Sequence, residues 1–437
     1  MNTTFFRSLV AMLALAFAGG AMAQAASVAF WPQVWGDGSA AECLTAAVVD
    51  PFNAVEEDIE VVSTIQPNWW DATRTSLAGG AGPDVVGTPG PSFMMELARA
   101  GLLAPLDDFA VDHAWSDTFA DWALDLGRFD GVLYGLPDGV ETMLLLYNAS
   151  LFEQHGWEVP TTVDELVALA ATIEAAGIIP FAHTNADWRA ANEWFLTAFL
   201  NHVAGPDVVY EALTQQRPWT DPALVAAVDV LTDMQQAGWF MGGLDRYYTT
   251  SSDEKYAALA DGQAAMMIEG SWVLSSMPGY FAESLHGHDW DWAPVPSFDG
   301  QAYFAIGLTQ TYSVSAHAED PAAAAAFLDY FFQPEVQARR FTDCGYDPGP
   351  VDVALAALEA IDPRHERLFV ELDTAFAAGN YGYTTWSFWP ARSNQYLWEE
   401  IERVWAGHLS AEAYLEGLQR VFDEEARQGA VLTLPER

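Results

Sequence analysis

Apolar and polar positions follow two rhythms along this chain, and the rhythms alternate. A β-rich run from Ser27 to Val34 precedes a helical pattern from Ser39 to Asn53. A strand pattern over Ile59 to Ile65 is followed by a helix after Asn68 and another strand from Asp84 to Gly87. Strands and helices alternating at this spacing predict parallel βαβ units. Helix ends are marked in the same stretch-by-stretch way. Thr162-Val-Asp-Glu165 is a capping box opening a helix with Leu166, Leu169, Ala170 and Ile173 on one face and Gly177 at its end. Asp221 before Pro222 and Asp320 before Pro321 supply a cap and a proline at the first helical position, while Gly238 and Gly429 stand where helices stop.

The short apolar runs Thr142 to Tyr147, Ile178 to Ala182 and Ala264 to Ile268 are expected to be buried strands, on their shortness and their flanking glycines or prolines. Proline-marked segments near Pro137, at Pro294 and Pro296, and near Pro334 suit places where the chain passes between bodies. There is no internal repeat, low-complexity linker or separable catalytic module. The pattern predicts an α/β protein of two lobes that exchange segments, each lobe a mostly parallel sheet flanked by helices.

The stretch from Phe129 through Gly-Val-Glu141-Thr-Met to Asn148, with Leu151 to Glu165 after it, resembles the crossover between lobes in the extracellular solute-binding proteins of ABC importers. The similarity is to the sugar-binding family that includes maltodextrin-binding protein. Gly262-Gln-Ala-Ala-Met-Met-Ile-Glu-Gly-Ser-Trp272, Asp320 to Tyr330, and Phe388-Trp-Pro-Ala-Arg392 resemble the same family in the same order. The resemblance implies a periplasmic binding protein fold: residues 24–140 and 294–330 in one lobe, 141–293 and 331–437 in the other. It also implies a receptor that takes a neutral mono- or disaccharide, passes it to a membrane permease as a monomer, needs no cofactor and performs no chemistry.

Composition narrows this further. The 61 acidic side chains outnumber 17 basic ones, for a net charge of −44, and Lys255 is the single lysine. Nucleic acid and anionic lipid need basic surface and are excluded as partners. Arg7, the apolar run from Leu9 to Ala18 and Ala21-Met22-Ala23 before Gln24 read as a secretory signal covering residues 1–23, so a soluble periplasmic protein is expected. No cysteine follows that site to carry a lipid. Two cysteines occur, Cys43 and Cys344. An oxidising compartment permits their pairing, but the resemblance puts them in different lobes, where a bridge would restrict hinge motion. The sequence leaves both states open.

Ligand sites of α/β proteins form beyond the carboxyl ends of strands and between lobes, and those positions here are rich in tryptophan. Trp35 and Asp37 follow the first strand pattern, Trp69 and Trp70 the second, Asp187 and Trp188 the Ile178 run, and Trp272 the Ala264 run; Tyr346, Trp386, Trp389 and Arg392 come late. Indoles cover the apolar face of a sugar ring, and carboxylates, amides and guanidinium groups pair with its hydroxyls. By resemblance, Trp272 and Trp389 are cleft aromatics, Glu141 and Asp37 accept sugar hydroxyls, and Arg392 lies beside the late aromatic, one residue closer than in the maltodextrin receptor. Thr88-Pro-Gly-Pro-Ser92 replaces that receptor's Asp-Arg pair, so maltodextrin itself is not the expected ligand. Three readings stay open: sugar receptor, receptor for a polyol or other osmolyte, and secreted glycoside hydrolase using paired carboxylates. His286, His288, Asp289 and Asp291 lack metal-site spacing and are expected in a solvated loop.

Overall fold

The computed structural model describes residues 25–33, 38–351, 361–432 and 434. Its strands are β1 Ala26–Phe30, β2 Ile59–Ser63, β3 Val85–Thr88, β4 Arg128–Phe129, β5 Val132–Leu133, β6 Leu136–Asn148, β7 Ile179–Phe181, β8 Ala264–Gly270, β9 Trp290–Pro294, β10 Phe304–Val314 and β11 Tyr381–Tyr383. The main sheet runs β2-β1-β3-β10-β6-β8-β7, with β11 beside β10 and β9 beside β6. The β1–β2, β1–β3, β7–β8 and β10–β11 pairs are parallel. The expected helix starts are present. Thr162 forms its capping box, and the Asp221 and Asp320 side chains accept from Ala223 and Ala323 N–H groups; Ser251 forms a further capping box that was not expected. The first helical run extends from Ser39 to Val55 and widens to π geometry over Thr45–Val49.

The two long strands join two bodies. Along β6, residues up to Thr142 pair antiparallel with β10, and from Met143 onward the strand pairs with β8 on one side and β9 on the other. β6 reads as a nearly unbroken apolar run because both of its faces are covered. The first lobe packs Phe30, Val48, Tyr312, Phe327 and Phe331 into one core, with Phe30 and Phe327 centroids 5.4 Å apart. In the second lobe Leu144, Met267, Trp290 and Leu372 form a core of their own. The largest cluster crosses the junction: Val86 and Met94 from the first lobe share it with Phe195, Trp389 and Phe422.

The cysteines are paired, with Cα atoms 5.7 Å apart. The expectation that they lie in different lobes is corrected: helix Pro334–Cys344 packs on the first helical run, and Arg339 Nε donates to the Ala47 carbonyl at 2.6 Å. The bridge therefore staples one lobe to itself and leaves the hinge free. The same packing puts 334–344 with the first lobe, whereas a boundary at 331 would assign it to the second.

Candidate functional site

Glu141 stands one residue before the point where β6 changes partner, opposite Gly307 of β10. Its side chain is buried, with Oε1 accepting from the Trp386 indole N–H at 2.5 Å and Oε2 2.8 Å from Thr309 Oγ1. Thr309 comes this close because Gly139 has φ of +64° and lacks a Cβ, which would lie 2.4 Å from Thr309 Oγ1. Burial pushes the Glu141 carboxyl up to about 8, and the Asp347 and Glu193 charges add to this, against the opposing hydrogen bonds from Thr309 and Trp386. At neutral pH the carboxyl keeps its proton. Thr309 can then donate to the Gly139 carbonyl, 3.2 Å away, and accept from Glu141.

Two further buried carboxyls are tied to Glu141 through neighbouring residues. Thr385 Oγ1, adjacent to Trp386, donates to Glu193 Oε2 at 3.3 Å, and Trp188 Nε1 donates to Glu193 Oε1 at 3.2 Å. On the other side the Thr142 N–H donates to Ser271 Oγ at 3.3 Å, and Ser271 donates to Asp347 Oδ2 at 3.1 Å. Burial raises Glu193 and Asp347 each to about 7. Asp347 Oδ1 has no hydrogen-bond partner. The two buried cations nearby are already engaged, Arg340 in a bidentate pair with Asp138 at 2.9 and 2.7 Å and Lys255 with Glu269 at 2.6 Å.

Indoles wall this cluster. Trp272 lies partly exposed with its ring across Gly270, where a Cβ would come within 1.9 Å of the ring, so only glycine fits beneath it. Its centroid is 5.4 Å from Trp194 and 6.0 Å from Trp386. Flat apolar faces, carboxyl groups and hydroxyls thus meet at the joint between lobes, an arrangement that suits a polar ligand with an apolar face. The surface depressions of about 300 Å³ near Arg217 and Gly429 show no such convergence.

Residues 47–364 match the family described as bacterial extracellular solute-binding protein. The chain belongs to this family. Among solved structures it is similar to a chitin oligosaccharide binding protein, with TM-score 0.75 and 23% identity over 92% of this chain and 98% of the other. It is also similar to the GacH receptor of Streptomyces glaucescens, with TM-score 0.73 and 22% identity over 93% and 99%. The two-lobed solute-binding fold follows. Among curated relatives, the maltotriose-binding protein of Pyrococcus abyssi is 24% identical over 69% of this chain, and the alpha-glucosides-binding periplasmic protein AglE of Rhizobium meliloti is 25% identical over 63%. In both cases the match spans 62% of the relative's length.

Against this family frame the expected site residues separate into groups. Glu141, Trp188 and Trp272 come together at the joint, as described. Tyr346 adjoins it through Asp347; the Arg340 guanidinium lies 5.4 Å from its ring centre, its hydroxyl has no partner, and burial pushes that hydroxyl up to about 12. Trp70 is half-buried against Phe93 at 5.5 Å, and Trp69 is buried in the first lobe, its N–H donating to the Trp31 carbonyl at 3.2 Å. Trp35 and Asp37 lie outside the described residues.

Two expected residues sit elsewhere. Trp389 is fully buried, 5.3 Å from Trp219, and does not line the joint. The backbone leaves the short helix Thr385–Phe388 in extended geometry at Trp389, whose indole packs in the core cluster beside Trp219. Arg392 is exposed and pairs with Glu424 at 3.2 Å on the outer face of the C-terminal helix. Trp386, three residues earlier, is the one whose indole N–H meets Glu141 at the joint. Glu193, Trp194, Thr309 and Asp347 were not anticipated; a carboxylate in the first turn of the mostly apolar helix Asn192–Phe199 was the one signal available for Glu193. His288 Nδ1 lies 2.9 Å from Asn148 Nδ2, while Asp289 and Asp291 pair with Arg364 and Arg367. Among the described residues no group of three or more His, Cys, Asp or Glu is placed to hold a metal.

Proposed function

We propose that this solute-binding protein is a periplasmic sugar receptor. It captures a neutral mono- or disaccharide between its lobes and delivers it, chemically unchanged, to the membrane permease of an ABC importer. The observation that carries this reading is the meeting of Glu141, Glu193 and Asp347 with Trp188, Trp272 and Trp386 at the point where β6 passes from one lobe to the other. A sugar stacks on the indoles and exchanges hydrogen bonds with carboxyl groups whose burial opposes their ionisation, which suits a neutral ligand. Ligand held by both lobes shifts the hinge equilibrium toward closure by its differential affinity, and the closed form is what the permease recognises. The reading includes a monomer with a cleaved signal over 1–23. The lobes are 24–140 with 294–344, and 141–293 with the remainder.

A second reading, a receptor for an osmolyte, draws support from the osmoprotective compounds-binding protein GgtB of Synechocystis, 26% identical over 42% of this chain. A thermal-shift screen against mono- and disaccharides, polyols and other osmolytes separates the readings, because ligand bound to the native state raises the melting temperature. The sugar reading expects a rise with one or a few sugars, and mass spectrometry should recover them intact. Steady turnover of a glycoside would reassign the carboxyl pair to hydrolysis.

A further inference from the structure

The disulfide does not cross the hinge, yet the chain sets out for the second lobe at the residue after it. Cys344 ends helix Pro334–Cys344, and Gly345 follows with φ of +73°. The bridge to Cys43 holds the helix at that end, and Arg340, one turn earlier, ties it to β6 through its bidentate pair with Asp138. A bridge closing a loop of 301 positions constrains the unfolded chain wherever in the lobe it stands, so stability does not explain this location. The segment that starts there does. Residues 345–351 run between the bodies and touch both. On the first lobe's side the Val140 N–H donates to the Pro348 carbonyl at 2.9 Å and the Gly349 N–H to Gln337 Oε1 at 2.8 Å. On the second lobe's side Ser275 Oγ donates to the Gly345 carbonyl at 3.2 Å, and Ser271 Oγ to Asp347 Oδ2 at 3.1 Å. The approach is so close that a Cβ on Gly345 would lie 2.7 Å from Ser275 Cβ. Glycine is needed there twice, for the left-handed turn and for the neighbouring serine. Trp272 stands in the turn that the two serines delimit.

We propose that the Cys43–Cys344 bridge and Ser275 are positioning residues for lobe closure: the bridge fixes the origin of the 345–351 crossing, and Ser275 clasps the Trp272 turn of the second lobe onto it. A crossing fixed in advance loses less freedom when the lobes close on a ligand, and preorganisation of this kind raises affinity without adding a contact to the ligand. The inference rests on the sugar-receptor reading for its use, while its geometry is independent of which ligand binds.

Backbone hydrogen exchange on the ligand-free full mature protein tests it. A dithiol converts the bridge to two thiols and leaves as its own cyclic disulfide; both cysteines are partly exposed to it. Treated and untreated samples are reduced alike after quenching, so that the same fragments are compared. Opening the bridge should speed exchange roughly tenfold or more in 345–351 and, across the joint, in 271–276, while β1 and residues 264–268 of β8 stay protected. A rise confined to 39–50 and 334–344 overturns the proposal, because the bridge is then a staple within one lobe. So does a rise that includes β1, which makes it a tie for the lobe as a whole.

A second arm leaves the bridge intact. Ser275 is exposed, so Ser275→Ala should keep the fold. It should speed exchange about threefold or more in 345–351 and 271–276 and leave 39–50 as it was. No change in those two stretches overturns the proposal whatever reduction does. Neither arm involves sugar, so failure of the ligand assignment is recognised separately, by a thermal-shift panel that shows no sugar response while the exchange results stand.

Discussion

Trp386 and Trp389 are three positions apart in one short segment, and they have opposite surroundings. The first sends its N–H to Glu141 at the joint between lobes. The second is enclosed in the core cluster beside Trp219, with its own N–H unpartnered. Both are large, both are buried, and both fall inside the motif that resembles a sugar-receptor cleft. The difference is backbone phase: the four-residue helix ends between them, and Trp389, just before Pro390, is itself in extended geometry. Residue type therefore says that an indole is wanted nearby, while a turn of chain geometry decides whether it packs or binds.

The largest test of that contrast is Trp389→Ala. Removal of an enclosed indole should lower stability by about 3–5 kcal/mol in chemical denaturation, whereas Trp386→Ala should cost less stability and more ligand affinity. A Trp389 variant that unfolds like wild type but loses ligand would place Trp389 in the cleft after all.

The joint can also be separated from the core by pH. Burial raises the Glu141 pKa from 4.5 to about 8, so between those values the native state holds a proton that the unfolded chain has released. Stability contributed by the protonated group is complete below about pH 4.5 and is lost as pH rises to about 8. Each unit of displacement is worth about 1.4 kcal/mol, less whatever opening of the lobes relieves. Denaturation midpoints measured across this range should decline for wild type and decline less for Glu141→Gln. Glu193 and Asp347, raised to about 7 in the same direction, keep part of the slope. A profile that rises toward pH 8 would show that the carboxyls are ionised and paired.

The smallest effect belongs to Arg392. Its side chain is 50% exposed and its partner Glu424 is 47% exposed, so Arg392→Ala should change stability by about 0.5 kcal/mol or less and leave ligand affinity as it was. A tenfold loss of binding, read by calorimetry, would bring the arginine back to the site.

Local features of the fold were legible in the sequence because local chemistry causes them. Thr162 with Glu165, Asp221 with Pro222 and Asp320 with Pro321 each define a helix start through atoms a few residues apart. Glu141 was singled out differently, through the resemblance, as the carboxylate of Gly-Val-Glu-Thr just before the crossover strand. Asp347 was not, since its role comes from Ser271, 76 positions earlier in the chain. The cysteines were misplaced on the same ground. No periodicity records that Pro334–Cys344 returns to the lobe where the chain began, so the resemblance set the cysteines in different lobes when the bridge lies to one side of the hinge.

The two-strand junction also has a consequence in time. Thr88 at the end of β3 donates its hydroxyl hydrogen to the carbonyl of Thr311, 223 positions later, because β3 takes β10 as its neighbour. At a synthesis rate of about 5–20 residues per second, roughly 10–45 s separate the making of those two strands. Throughout that interval β1 to β3 have an open edge, the kind of surface on which growing chains pair with one another. A net charge of −44 makes neighbouring chains repel. Acidic side chains that cap helices and pair with arginines in the finished lobes thus also add to a repulsion that matters earliest, while the first lobe waits for its last strand.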